Sequence, residues 1–375
     1  MSIISDIKIQ VRLDGTGQPG ISVLFQTDKG KSEVFVSVSS SEPISALSLS
    51  TLESSIQYAK NAVIPHLIGI DTSDQIQFDA YLREIDGTHN LSKITSEIAR
   101  ALSYANAHAA AIEYENELYR HLGGVYAGDI PLPFLHLSGS ETSPYQPVLV
   151  PTHTTSIKDL IPAISMIYQK KSSTENGISS TEEMFERVHQ ICQDVLERFE
   201  ITLQPGLICK SSYTEEKQYH LNDMVYTSDE YIQYLIEFVQ AHDIIYLESP
   251  LDGKDIEGYA SLTSEIGDKT LIANQTWKTA SDAPTQDASI HMHDVLASTN
   301  SMAISPSIGT VTDIYEMNKR AQKHGVETII GDSVIYADPT CAHIGCACGC
   351  IGIQIGQNGQ GIETLNELIW IEESL

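Results

Sequence analysis

Ile244-Ile245-Tyr246-Leu247-Glu248-Ser249-Pro250-Leu251 is the stretch that decides the fold. An apolar run of strand length that ends at a carboxylate, a serine and a proline reads as a buried strand with its polar group at the C-terminal end. Val148-Leu149-Val150, Thr270-Leu271-Ile272-Ala273, Met302-Ala303-Ile304 and Thr328-Ile329-Ile330 are runs of the same kind, separated by stretches of helical periodicity. Their alternation predicts parallel strands with crossover helices, hence an α/β barrel, whose chemistry sits at the C-terminal ends of the strands.

Upstream the pattern is different. Ile7-Lys8-Ile9-Gln10-Val11, Ile21-Ser22-Val23-Leu24-Phe25 and Val34-Phe35-Val36 alternate or run apolar at strand length, with turn chemistry at Asp14-Gly15-Thr16-Gly17-Gln18-Pro19, and predict a three-stranded meander. From Ser50 to His121 the periodicity is helical and ends in an Ala-rich stretch, Ile98 to Ile112, before Gly123-Gly124. Strands followed by helices make an α+β cap, so the expected organisation is a cap at 1–125 and a TIM-like barrel at 126–375.

The chain has 375 residues, 41% of them hydrophobic, enough for a large core. Lys and Arg number 22 against 50 Asp and Glu, a net charge of −28 that repels nucleic acid and anionic membranes. The N-terminus has no basic region followed by an apolar one, and no apolar stretch is long enough to span a bilayer, so a cytoplasmic location is expected. Six cysteines, four crowded at 341, 346, 348 and 350, do not form a secretory framework and read as free thiols.

A family resemblance rests on Asp14-Gly15-Thr16-Gly17-Gln18-Pro19, on Asp86-Gly87-Thr88 with Asn90, Ser92 and Lys93, and on Leu118-Tyr119-Arg120-His121-Leu122. It continues through Leu132-Pro133-Phe134-Leu135, Gly206-Leu207 with Ser211-Ser212, Glu248-Ser249-Pro250 and Ser307-Ile308-Gly309-Thr310, to Leu365-Asn366-Glu367-Leu368-Ile369 with Ile371-Glu372-Glu373. In that order and spacing they resemble the enolases over nearly the whole chain. The resemblance implies the enolase fold and dehydration of 2-phosphoglycerate to phosphoenolpyruvate, a step of glycolysis. In that reaction a Lys base abstracts a proton, Mg²⁺ stabilises the developing charge and a Glu assists departure of hydroxide.

Carried over residue by residue, the resemblance places Glu248 at one of three metal carboxylates. The other two loci read Ile208 and Asn274, the latter followed by Gln275, so two formal negative charges are missing and Mg²⁺ binding is expected to be weak or absent. Ser41 matches the mobile-loop ligand of the second metal. Ile304 stands at the base position, and no lysine lies between Lys278 and Lys319 to replace it. The phosphate clamp, Ser-His-Arg-Ser in the family, reads Gly331-Asp332-Ser333-Val334, with Asp332 at the His position and a carboxylate where phosphate would dock. The family's late Lys falls in the neutral run Gly352-Ile353-Gln354-Ile355-Gly356. The loop that carries the proton-donating Glu has no counterpart between Tyr168 and Thr181. Pro147 follows Gln146 where, by the resemblance, a Glu that supports the site belongs.

Other groups at the expected barrel mouth are Ser211, Gln275, Ser333 and Asp338. The cysteines of 341–350, with His343, have chelating spacing, but their small neighbours predict a tightly packed helix with Cys as a small hydrophobe. His291-Met292-His293-Asp294 places its histidines at i and i+2, which do not share a helix face. Three function classes follow. The leading one is an enolase homologue with a dismantled site, acting as a binding, regulatory or assembly protein through a homodimer or a heterodimer with an intact enolase. The others are a barrel enzyme with altered chemistry using Glu248, Asp332 or Asp338, and a working phosphopyruvate hydratase.

Overall fold

A computed structural model describes the chain apart from residues 1, 15–16, 18, 39–45, 138–143, 154–155, 172–180, 211, 215–217, 222–223, 276–287, 332–337 and 357–358. Strands β1 (Ile4–Leu13), β2 (Pro19–Thr27) and β3 (Lys31–Ser37) form an antiparallel meander with neighbours in sequence order. Ile7, Ile9, Ile21, Val23, Phe25, Val34 and Val36 are all buried, so one face of the sheet closes on the helices that follow. The Ala-rich helix Ser96–Glu113 lies against this face, its small side chains allowing the close approach.

Asp86-Gly87-Thr88 turns the chain between helix Gln75–Asp86 and the next segment. Gly87 ends the helix at φ +67°, which glycine adopts at little cost, and buried Asp86 accepts from the backbone N–H of Thr88, Lys93 and Ile94. This motif holds the backbone.

The second unit is a closed eight-stranded barrel: β4 (Leu132–His136), β5 (Tyr145–Thr152), β6 (Thr202–Cys209), β10 (Tyr246–Glu248), β11 (Leu271–Asn274), β12 (Ser301–Ile304), β13 (Glu327–Ile330) and β14 (Gly352–Ile355). A small antiparallel sheet of β7 (Ser212–Tyr213), β8 (Gln218–Leu221) and β9 (Met224–Thr227) is inserted after β6. The barrel departs from the all-parallel expectation at one strand. β5, which contains Val148-Leu149-Val150, runs antiparallel to both β4 and β6. Residues 137–144, which join β4 to β5, are fewer than the dozen or more that a parallel crossover needs.

The barrel interior is filled by Phe134, Val148, Val150, Ile208, Tyr246, Ala273, Ala303 and Ile329, one or two residues from most strands. The opposite faces of the strands pack against the helices. Helix Pro339–Cys348 carries Cys341, Cys346 and Cys348, buried like Cys350 beyond it; burial pushes the Cys346 thiol up to about 12. They pack as small buried side chains, as the small-residue pattern predicts.

Candidate functional site

Four barrel strands aim polar side chains at one another within the closed barrel. His136 ends β4, Gln146 lies near the start of β5, Tyr246 and Glu248 are on β10, and Gln354 is on β14. His136, Tyr246, Glu248 and Gln354 are buried. Gln146 Nε2 donates to His136 Nδ1 at 3.2 Å, and His136 Nε2 meets Gln354 Oε1 at 3.0 Å. An amide oxygen only accepts, so the imidazole proton sits on Nε2 and the ring is neutral. Burial keeps it so, pulling the His136 pKa down to about 4. Gln354 Nε2 then donates to Glu248 Oε2 and lies 3.3 Å from the Tyr246 hydroxyl, which also donates to Glu248 Oε2.

The bonds of this chain point the same way, from Gln146 through His136 and Gln354 to Glu248. Glu248 is the acceptor at its end, held by an amide and a phenol. Both are neutral donors, and together they hold a carboxylate inside the barrel.

The remaining loci carry less chemistry. Ile208 lies 2% exposed among the apolar residues of the barrel interior. Asn274 and Gln275 are buried at the end of β11. Ile304, 1% exposed, packs in the large apolar cluster with Ile330 and Ile353, whereas Ala303 beside it belongs to the inner layer. Neighbouring strand residues face opposite ways. Asp338 is the N-cap of helix Pro339–Cys348, its Oδ1 accepting from the N–H of Thr340 and Cys341. Ser41, Ser211, Asp332 and Ser333 lie outside the described residues.

Magnesium requires hard oxygen donors near octahedral geometry. At the three loci that the resemblance gives to the metal stand a hydrocarbon, Ile208, an amide, Asn274, and a carboxylate, Glu248, whose Oε2 accepts from Tyr246 and Gln354, a poorer donor set for this ion than three carboxylates. Among the described residues, no three His, Cys, Asp or Glu side chains are grouped to hold a metal.

The residues that carry the resemblance have architectural work. Gly309 sits at φ +139°, where a Cβ would clash with Asp313 Oδ2, and Thr310 forms a reciprocal capping box with Asp313 at the start of helix Val311–Lys323. Glu372 accepts from Ser156 Oγ and the N–H of Ile157 and Lys158, tying the last helix to the barrel. Residues 4–122 match the description "Enolase, N-terminal domain" and residues 179–375 match "Enolase, C-terminal TIM barrel domain".

The chain belongs to the enolase family.

Among curated relatives, it is 30% identical to the enolase of Methanocorpusculum labreanum over 402 residues, covering 100% of both chains. It is 28% identical to the enolase of Methanothermobacter thermautotrophicus over 410 residues, covering 100% of this chain and 97% of that one. The enolase of Haloquadratum walsbyi is 30% identical over 404 residues, with 100% and 99% covered. This enolase-family chain has no helix, among its described residues, long and apolar enough to cross a membrane.

Two features of the site were not singled out from the sequence. His136 closes the otherwise apolar strand Leu132-Pro133-Phe134-Leu135, and Gln354 interrupts Ile353 and Ile355. A polar side chain inside a buried strand needs a partner, which was the available signal. Apart from Gln146, ten residues from His136, their partners lie about one hundred to two hundred residues away, on strands brought together by barrel closure.

Proposed function

We propose that this enolase-family chain does not dehydrate 2-phosphoglycerate and acts as a binding or regulatory protein built on the enolase fold. One observation carries the reading: the carboxylate that remains of the metal set, Glu248, is held by Gln354 and Tyr246, while the base position is the buried hydrocarbon Ile304. A base needs a lone pair within reach of the substrate, and isoleucine has none. The pattern of retention supports the same reading. Asp86, Gly87, Gly309, Thr310 and Glu372, which fix turns, caps and helix docking, are kept, whereas the loci for base, metal and phosphate are altered.

In this reading Mg²⁺ binds weakly or not at all, and the protein works as a dimer, with itself or with an intact enolase. The meander with exposed Leu13 at the end of β1 offers a surface for assembly. Formation of phosphoenolpyruvate from 2-phosphoglycerate with saturating Mg²⁺, followed by absorbance, tests the central point; sustained turnover contradicts it.

A further inference from the structure

Arg100 is the anomaly of the cap. It lies in the Ala-rich helix Ser96–Glu113 and is 1% exposed, although arginine is rarely buried so fully without a charged partner. Its Nη2 donates to the carbonyl of Ser37 at 3.0 Å, at the end of β3. Its Nε and Nη1 are buried and have no hydrogen-bond partner among the described residues. Guanidinium cannot shed its charge, so burial leaves a fixed cation with two idle donors.

The groups around it do not complete it. Asp338 lies near enough to feel its charge but makes no ion-pair contact, and its Oδ1 is committed to the N–H of Thr340 and Cys341. Tyr104, one helical turn further, has its hydroxyl 3.5 Å from Cys341 Sγ. Asp338 follows the C-terminal end of β13, so Arg100 stands at the seam where the cap meets the mouth side of the barrel. Nε and a terminal nitrogen form the fork that receives an oxyanion in two-point contact.

We propose that Arg100 is the anion-recognising residue of a binding site at this seam, taking the carboxylate or phosphoryl group of a small ligand. The proposal deepens the binding role above and rests on it for its biological meaning, but its test reads binding and does not depend on turnover. A bound oxyanion completes the two idle donors and neutralises a charge that no contact in the described structure compensates. The ligand is met by a guanidinium from the cap, in a chain whose barrel has lost its matched basic groups.

Thermal unfolding of the full chain with inorganic phosphate, with malonate and with chloride at equal ionic strength tests the assignment. Wild type is expected to melt higher in phosphate or malonate than in chloride, the responding anion showing whether a phosphoryl or a carboxylate group is preferred. Arg100→Leu is expected to melt at or above wild type in chloride, because an uncompensated buried charge is gone, and to bind the responding anion about tenfold or more weakly. Arg100→Lys keeps the charge without the fork and should lose part of the affinity. If Arg100→Leu does not fold, Arg100→Gln serves the same comparison. Equal shifts in wild type and variant, or no shift with either anion in the wild type, overturn the proposal. Phosphoenolpyruvate formation with intact anion binding would contradict the non-catalytic reading and leave this one standing.

Discussion

The side-chain amide of Gln354 on β14 donates to the carboxylate of Glu248 on β10, joining strands separated by more than one hundred residues in sequence. Gln354 also accepts from His136, so one amide closes a polar chain through the barrel. Gln354→Leu should destabilise the fold by roughly 3 kcal/mol, since it takes a donor from a buried carboxylate and strands the His136 N–H. Urea unfolding measures it. A loss below about 0.5 kcal/mol would mean that the chain of bonds does not support the barrel.

Acid should unfold the protein partly through its buried histidines. Burial holds His108 and His136 at pKa values of about 4, against 6.5 for an ordinary imidazole. Between pH 6.5 and 4 the unfolded chain therefore binds protons that the folded chain refuses. The stability from each histidine is full above pH 6.5 and falls as pH drops, by about 1.4 kcal/mol per pH unit per proton. Buried Asp79 and Asp338, whose pKa values are raised, work in the opposite direction, so wild type must be compared with variants. His108→Gln should flatten the slope in this window by up to one proton, and an unchanged slope would refute the assignment.

Metal should have little effect. A ligand at 100 times its Kd adds about 2.7 kcal/mol of stability. With one carboxylate at the three metal loci, Mg²⁺ should raise the melting temperature no more than Ca²⁺ at equal ionic strength, as general screening does. A rise specific to Mg²⁺ and abolished by Glu248→Gln would reveal a working metal site.

Assembly is open to direct measurement. Sedimentation at tens of micromolar should show association, either of this chain alone or of a mixture with an intact enolase. Mixed dimers that change the rate of the active subunit would make the chain a regulator. A strict monomer, indifferent to the intact enzyme, would remove the assembly role.

The fold was legible because enolase-like turns and caps are local. Asp86-Gly87-Thr88 and Gly309-Thr310 each satisfy backbone groups within a few residues, and their spacing survives in sequence. The direction of β5 was harder to read, because the apolar run Val148-Leu149-Val150 records burial and not polarity of the strand; the short 137–144 link was the clue. At the site, the sequence shows Ile208 and Ile304 at loci that the resemblance gives to a carboxylate and a lysine. The polar chain could not be read there, because His136, Gln354 and Glu248 meet only when the barrel closes. Arg100 was hidden differently, as one charge in a run of small residues whose buried face is set by packing against β2 and β3.

The most direct test of the account is the rate of phosphoenolpyruvate formation from 2-phosphoglycerate by the purified chain at saturating Mg²⁺. With Ile304 at the base position and Glu248 bound by Gln354 and Tyr246, no turnover above the uncatalysed reaction is predicted. A rate in the ordinary enzymatic range of about 1–10³ s⁻¹ would contradict it and show that a base and a metal site are supplied by residues other than those matched here.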